Sequence, residues 1–553
     1  YRMQFQKSAK INYLKLTHNM DFCIAISGAA GDGVRRGGLL VAKLLSSLGY
    51  NTFVYQEYQS LIRGGHNASV IRFSDRKIHS HRYYYDLFVC LEDYVLDLHK
   101  DRIKGLIIHD SKFECSNGNT IPIPMTEFIK EEHKPIIYRN AIVLGVLCRL
   151  LGIRFEVLEE LFRKEYDDAE SDILLAEEGY DYVKEIEPIL KVEKIGDAKE
   201  VYSGNDAIAI GMMRAGLRNY YAYPMTPASS ILHFLAKQED VIAVQPESEI
   251  AAIMMALGSA FAGKRAAVAT SGGGFALMTE SISLAAMAEI PVLVVEAQRS
   301  SPSTGMATYT AQQDLDFVIH PAHGEFPLIL ASPITVEDAF SMTAELLNLA
   351  WKYQTPAILL TDKHLSESYE SIDGLNGSVT EEKIEVVERC EGIFKRYEVT
   401  NTGISKIAFP PNIVKANSNE HDEFGFTTDN PQIATEMYAK RMRKEVAIKE
   451  DIQKREPYKV FNHGKDCIIT WGSTFGAVKD VAEELGYKLI AMRYLRPLIV
   501  PEIKGRVIVV ECNYSGLLAN KIENKLSREV ERINRWDGRP FTPEELRERL
   551  RGD

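Results

Sequence analysis

The feature that most constrains this chain is a recurring local pattern: a short apolar run, a glycine-bearing turn, then an apolar stretch with helical spacing. Strands of that kind are buried on both faces, and the alternation implies mainly parallel sheets wound with helices, the α/β class. The pattern opens with residues 22–26, passes through Gly28-Ala29-Ala30-Gly31-Asp32-Gly33, and continues into a helix expected over 39–48. Strands are expected next at 52–55, 87–91 and 105–109. A second, doubly wound unit starts near Gly204. It has helices expected at 206–217 (capped by Asn205 or Asp206), 247–261, 275–288 and 336–351, and strands at 220–223, 266–270, 292–297 and 357–360. A third α/β unit has strands at 467–471, 489–492 and 507–511, with a helix over 475–485.

The 553 residues leave room for three or four domains at about 150 residues each. The expected division is a tail over 1–19, a first domain over 20–193, a linker over 194–203 and a second domain over 204–374. A connection over 375–460 follows, with a strongly charged helix at 432–454 expected to be exposed, and a last domain covers 461–553. The net charge of −12 argues against a nucleic-acid surface, which would be basic. The seven cysteines form no C-x-x-C pair, so neither a disulfide framework nor an iron–sulfur cluster held by this chain alone is expected. No apolar run is long enough to span a bilayer, and the first twenty residues have no secretory h-region, so a cytoplasmic protein is expected.

Several turns carry chemistry-bearing residues. The Gly28–Gly33 turn could expose N–H groups to an anion. Its G-x-x-G-x-G spacing is not the dinucleotide fingerprint, although Glu57 could serve as that motif's acidic residue. Read instead as a magnesium-binding Gly-Asp-Gly motif of thiamine enzymes, it finds Asn51 too early and Asn67 too late. Asp32 is therefore not assigned as a metal ligand, and no metal is expected on this chain. Arg63-Gly64-Gly65-His66-Asn67 reads as a loop, with an anion contact as the alternative.

In the second unit, Tyr223-Pro224-Met225-Thr226-Pro227 follows a strand end, where open α/β sheets bind ligands. Its two prolines fix the backbone around the Thr226 hydroxyl, or simply make a turn. Glu247-Ser248-Glu249 opens an apolar helix. Its acids serve the helix dipole, or one carboxyl lies against apolar packing, where desolvation favours the protonated form. Ser271-Gly272-Gly273-Gly274 holds more glycine than one βα connection requires, which suits close approach of a ligand to the backbone. Arg299, after another strand end, is placed to hold a carboxylate or phosphate. His323 and Glu325 lack a third metal ligand.

Taken in order, YPMTP, PESEIAA, TSGGGFALMTE, EAQRSSPSTG and HGEFP resemble the α subunits of 2-oxoacid:ferredoxin oxidoreductases. The first block, with GAAGDGV and RGGHN, is similar to the γ domain of those enzymes, fused in front. The last, with WGSTFGAV, YLRPL and ECNYSGLL, is similar to the domain that follows in their α chain. Met225, Leu328 and Leu517 depart from the residues usual in that family. The resemblance implies three α/β units, including the pyrimidine-binding domain of a thiamine-diphosphate enzyme and a transketolase C-terminal-like domain.

It also implies oxidative decarboxylation of 2-oxoacids to acyl-coenzyme A with electrons passed to ferredoxin. Thiamine diphosphate would be shared with a separate β subunit that holds Mg2+ and a [4Fe-4S] cluster, in an αβ or (αβ)2 assembly. Glu249 would be catalytic, hydrogen-bonding the aminopyrimidine ring. Thr226 and Arg299 would contact the substrate, and Tyr223, Pro224, Thr226, Glu249, Ser271, Gly272 and Gly273 would line the cofactor. The alternatives are a nicotinamide-dependent dehydrogenase using the Gly28 turn and a non-catalytic assembly subunit. Neither a nucleic-acid nor a membrane partner is expected.

Overall fold

The computed structural model describes residues 20–61, 64–115, 119–377 and 379–552. The expected tail 1–19 and Arg63 lie outside the described residues. The chain divides into two compact units: one runs to Tyr202 and includes Ser368–Gly374 and Thr542–Glu544, and the other holds the remainder. The third α/β sheet thus belongs to the second compact unit.

In the first unit an eight-stranded sheet runs in the order Thr120–Ile123, Ile103–Asp110, Tyr85–Cys90, Asp21–Ala30, Gly64–Ser74, Asn51–Tyr58, Tyr369–Ile372, Glu200–Ser203. The expectation of a parallel sheet is corrected here. Gly64–Ser74 pairs antiparallel with both Asp21–Ala30 and Asn51–Tyr58. The few residues between 58 and 64 are too short a connection for a parallel crossover, so the chain turns back on itself. Gly64 to Asn67, expected as loop, therefore begin a strand. Glu200–Ser203, inside the expected linker, is also a strand.

The first helix starts at Val34, five residues before its expected start. Gly33 takes the left-handed φ of 75° before it. Gly38, which masked the helical pattern, is needed because a Cβ there would stand 2.4 Å from the Ser69 Cβ.

The second unit contains a seven-stranded sheet in the order Tyr494–Arg496, Ile329–Ala331, Pro356–Asp362, Val292–Gln298, Ala266–Thr270, Asn219–Tyr221, Ile242–Val244. All neighbours are parallel except the Tyr494–Arg496 edge, lent by the last sequence block. The five-stranded sheet Tyr458–Phe461, Lys488–Met492, Cys467–Trp471, Val507–Glu511, Glu531–Asn534 is parallel apart from its first strand. Arg493 ties the two sheets' elements together through a buried ion pair with Asp338 at 2.7 Å.

The charged helix Pro431–Ile452 is not the exposed element expected. Lys440, Arg441 and Lys444 are buried. Lys440 Nζ and Lys444 Nζ both donate to the buried Glu289 carboxylate, at 2.6 and 2.5 Å, while Arg396 donates to the Glu289 carbonyl. The cations hold the Glu289 carboxyl well below its ordinary range despite burial, and burial pushes the Lys444 amine down to about 7. A count of charges along the helix could not reveal that one face finds a buried counter-ion.

Candidate active site

In the larger sheet, Asn219–Tyr221 lies between Ile242–Val244, next in sequence, and Ala266–Thr270, the strand after that. The winding therefore reverses between Asn219–Tyr221 and Ala266–Thr270. A crevice forms outside the carboxyl ends of strands at such a switch point. The segments leaving these two ends are Tyr223 to Pro227 and Ser271 to Gly274, the first and third motifs singled out from sequence.

The 223–227 loop is held from two sides. Asn205, fully buried in the first turn of helix Gly204–Arg214, donates to the Pro227 carbonyl and to Ser230 Oγ, both at 2.7 Å. Arg299 Nη1 donates to the Thr226 carbonyl at 2.8 Å. Arg299 makes no other side-chain hydrogen bond and no ion pair among the described residues, so the rest of its guanidinium fork is free for a ligand. The structure thus brings Thr226 and Arg299 together. Tyr223 is exposed and Pro224 half-buried beside them. Helix Gly204–Arg214 is capped by Ser203, through a capping box with Asp206, and not by Asn205 or Asp206 as expected.

Ser248 caps helix Glu249–Phe261 by accepting from the Ala251 amide at 3.2 Å. Glu247 stays outside the helix and is exposed, whereas Glu249 is only 5% exposed. The Glu249 carboxyl accepts no hydrogen bond among the described residues. Its wall is Gly274, where a Cβ would come within 2.7 Å of Glu249 Oε1 and 2.1 Å of Thr270 Oγ1. Sequence reasoning did not assign Gly274 to the site, and only the approach of Glu249 distinguishes it from its neighbours. Gly272 to Gly274 are not the βα connection expected but the first turn of helix Gly272–Met287. Gly273 is exposed, and a Cβ there would meet no atom within 4 Å, so its backbone is open to a ligand. Ser271 Oγ is buried without a partner.

Two acids missed from sequence lie here as well. Glu296, on the strand Val292–Gln298, is fully buried with neither carboxyl oxygen partnered, and Asp314 Oδ2 is buried without a partner too. Burial pushes the Glu296 carboxyl far up, with further repulsion from Asp314 and Asp362. Burial lifts Asp314 to about 6, against the pull of Arg299. Their sequence context, an acid on a strand and an acid before a short helix, gives no signal until the neighbours are known.

The remaining motifs have structural partners. Both Asp32 oxygens are engaged, by the Ala29 amide at 2.7 Å and by Arg139 at 3.0 Å. Glu57 pairs with Arg102 at 3.8 Å, and Glu325 accepts from the Tyr438 hydroxyl at 3.0 Å.

The family model described as pyruvate flavodoxin/ferredoxin oxidoreductase, thiamine diphosphate-binding, matches residues 210–440, which include the whole crevice, and a pyruvate ferredoxin/flavodoxin oxidoreductase model matches 23–182. A 2-oxoacid:ferredoxin oxidoreductase subunit alpha of Sulfolobus sp is 31% identical across 95% of this chain and 96% of its own length. This chain belongs to the 2-oxoacid:ferredoxin oxidoreductase family. The Saccharolobus solfataricus subunit alpha of that family is 30% identical over 95% of this chain and 96% of its own. The solved 2-oxoglutarate:ferredoxin oxidoreductase of Magnetococcus marinus, with 2-oxoglutarate, coenzyme A and succinyl-CoA bound, superposes with a TM-score of 0.86. It is 30% identical and covers 96% of this chain and 99% of its own. As a member of the family this chain is an α/β protein with a thiamine-diphosphate-binding domain and is part of an oxidoreductase. No described helix is long and apolar enough to cross a membrane.

Proposed function

We propose that the chain is the α subunit, with a fused γ domain, of an enzyme that oxidatively decarboxylates 2-oxoacids to acyl-coenzyme A and passes the electrons to ferredoxin. The observation that carries this reading is Glu249: a side chain only 5% exposed whose carboxyl accepts no hydrogen bond among the described residues, walled by a glycine, at the switch point of a doubly wound sheet. A carboxyl with both oxygens unbonded at a crevice wall is available to the donors of a ligand. The aminopyrimidine of thiamine diphosphate fits this wall. It offers a ring nitrogen and an amino group to a carboxyl, and its flat face suits the open Gly273 backbone.

Glu249 would hold the pyrimidine ring nitrogen by a hydrogen bond and so orient the ring. Tyr223, Pro224 and Thr226 flank the cofactor on one side, and Ser271, Gly272 and Gly273 on the other. Ser271 Oγ, unpartnered in the free chain, gains a hydrogen bond to it. Arg299, anchored through one nitrogen on the Thr226 carbonyl, takes the 2-oxoacid carboxylate with the remaining guanidinium N–H groups, and the Thr226 hydroxyl orients the adjoining oxygen. The cofactor, when bound, supplies the electron sink for loss of carbon dioxide.

A β subunit completes the site in this reading. It holds the diphosphate, Mg2+ and a [4Fe-4S] cluster, in an αβ or (αβ)2 cytoplasmic assembly, with coenzyme A as co-substrate. Its seat is supported by the apolar residues that helices Glu249–Phe261 and Gly272–Met287 leave exposed: Ile250, Met254, Met255 and Leu277. Residues 20–193 serve as the γ domain, 204–374 as the pyrimidine-binding domain and 461–553 as the transketolase C-terminal-like domain. The test is co-expression with a chain carrying a Gly-Asp-Gly motif and clustered cysteines. A panel of 2-oxoacids is then assayed for coenzyme A-dependent reduction of ferredoxin or a viologen dye. Reduction that needs both chains and thiamine diphosphate supports the reading; no reduction with any 2-oxoacid by a cofactor-loaded complex overturns it.

A further inference from the structure

Under the carboxyl end of the strand Val292–Gln298 lies a group of oxygen atoms that the fold leaves unbonded. Both Glu296 oxygens and Asp314 Oδ2 are buried without a partner, and Ser271 Oγ is in the same condition. The surrounding framework is otherwise well bonded. Gln298 accepts from the Asp314 amide at 3.0 Å and donates to the Thr361 carbonyl at 3.2 Å, fixing the strand end to the start of helix Leu315–Ile319. The first residue of helix Gly272–Met287 is a glycine with Asp314 against it: a Cβ at 272 would stand 2.9 Å from Asp314 Oδ2. Arg299, three residues beyond Glu296, interacts electrostatically with both acids yet forms an ion pair with neither.

Buried acids are ordinarily paired with a neighbouring cation. Here the guanidinium is instead drawn to the Thr226 carbonyl. We propose that Glu296 and Asp314 are positioning residues for the substrate carboxylate: Glu296, buried and unbonded, carries a proton at neutral pH, and Asp314 takes one up when an anion docks on Arg299. The inference rests on Arg299 as the clamp for the 2-oxoacid.

The sign follows from charge. In the free chain Arg299 stabilises the Asp314 carboxylate, while burial opposes it and sets its midpoint at about 6. An arriving carboxylate cancels the Arg299 charge and removes that stabilisation, so the midpoint rises and a proton enters from solvent. With Asp314 neutral, the guanidinium is left wholly to the substrate.

Other charged groups near the pair are already committed or lie on the opposite wall. Asp362 accepts from the Leu365 and Ser473 amides at 3.0 Å each, and Lys363 pairs with Glu367 at 3.7 Å. Burial keeps His364 neutral, with its midpoint down at about 3. Asp316 pairs with Lys521 at 2.6 Å, and Glu249 faces Gly274.

Two measurements test this. Infrared difference spectra of the full chain at neutral pH are expected to show a protonated-carboxyl band that Glu296→Gln removes. At pH 6.5, added pyruvate or 2-oxoglutarate increases absorption in that region in the wild type but not in Asp314→Asn. In the complex with its β chain, the KM for the 2-oxoacid rises above pH 6 while kcat does not follow. The rise amounts to about tenfold for each pH unit between the free and bound midpoints of Asp314, and Asp314→Asn abolishes the slope. The inference is overturned if Glu296→Gln leaves the band intact, if neither anion changes the spectrum, or if Asp314→Asn keeps the wild-type slope. Should no 2-oxoacid turn over while the anion-dependent band still appears, the catalytic reading falls and the proton-coupled anion site stands.

Discussion

Replacing Gly274 with alanine tests the geometry around Glu249 with a single carbon atom. The added Cβ would stand 2.1 Å from Thr270 Oγ1, 2.7 Å from Glu249 Oε1 and 2.8 Å from Glu249 Cγ. Ordinary contact begins near 3.4 Å, so the Glu249 carboxyl must retreat by about 0.7 Å and the Thr270 hydroxyl by more. Thr270 is fully buried on a central strand, and its β-branched side chain has little rotameric freedom, so its clash is relieved by a shift of the helix backbone at 274, which moves the Glu249 wall as well. Overpacking of this kind costs about 1–3 kcal/mol, offset by no more than about 1 kcal/mol from the better helix propensity of alanine. The fold survives such a loss. The carboxyl, however, is displaced by a good fraction of an ångström from the pyrimidine it must meet, and a shift near 1 Å costs roughly a hundredfold in rate. The expected result is a folded variant, by denaturant titration, whose 2-oxoacid-dependent dye reduction with the β chain falls about a hundredfold in kcat. A folded Gly274→Ala variant with undiminished kcat would show that the catalytic acid does not use this wall.

Glu249→Ala and Glu249→Gln are expected to abolish turnover while leaving stability within about 1 kcal/mol of wild type, because the carboxyl accepts no hydrogen bond among the described residues that its removal would break; calorimetry of the free chain and turnover of the complex read the two separately. Arg299→Lys removes the planar fork and the anchor on the Thr226 carbonyl. Loss of a charge-assisted bond worth about 1.5–3 kcal/mol should raise the KM for the 2-oxoacid roughly ten- to a hundredfold in steady-state assays. Glu289→Gln leaves Lys440, Lys444 and Arg396 buried without their counter-charge, and urea titration at pH 7 should show a loss of about 3–5 kcal/mol. The pH sign follows from the depressed Glu289 midpoint: its stabilisation is present above the unfolded value near 4.5 and is lost as pH falls toward the lower folded value. The wild type should therefore lose stability more steeply below pH 4.5 than Glu289→Gln does.

Much of the architecture is legible because strands and helices leave periodic signatures. The apolar runs at 266–270 and 292–297 are central strands within a residue of their expected ends, since full burial on both faces demands continuous apolar sequence. Local caps are missed: the helix expected from Glu247 starts at Glu249, because Ser248 caps it and so separates the two acids, one exposed and one buried. What else fails is whatever depends on a distant partner. Pro431–Ile452 reads as solvated because its lysines are charged, yet Glu289, far away in sequence, makes three of its cationic neighbours a buried cluster. The three glycines at 272–274 read as a loop because glycine is a poor helix former, but the site uses them in a helix's first turn, where a missing Cβ matters more than propensity. Glu296 is invisible for the same reason, an acid inside an otherwise apolar strand whose meaning lies in Asp314 and Arg299.

The distribution of unbonded polar atoms adds an argument that no single residue makes. Two buried acids away from the site are bonded through both of their oxygens. Glu289 receives both lysines, and Glu511 accepts from the Leu518 and Ala519 amides at 3.0 Å each and from Asn513 at 2.6 Å. Ser271, Glu296 and Asp314 Oδ2 receive no such treatment, although all three are carried by segments at the carboxyl ends of neighbouring strands in one sheet. A chain able to satisfy a carboxylate with two lysines in its interior had the means to satisfy these. Leaving three buried polar side chains unbonded in one place lowers the stability of the free chain, and that loss persists only where something else completes the bonds. A cofactor base at Glu249 and Ser271, and a substrate anion at Arg299 with a proton at Asp314, would complete them together, so the unmet bonds and the chemistry are two descriptions of the same arrangement.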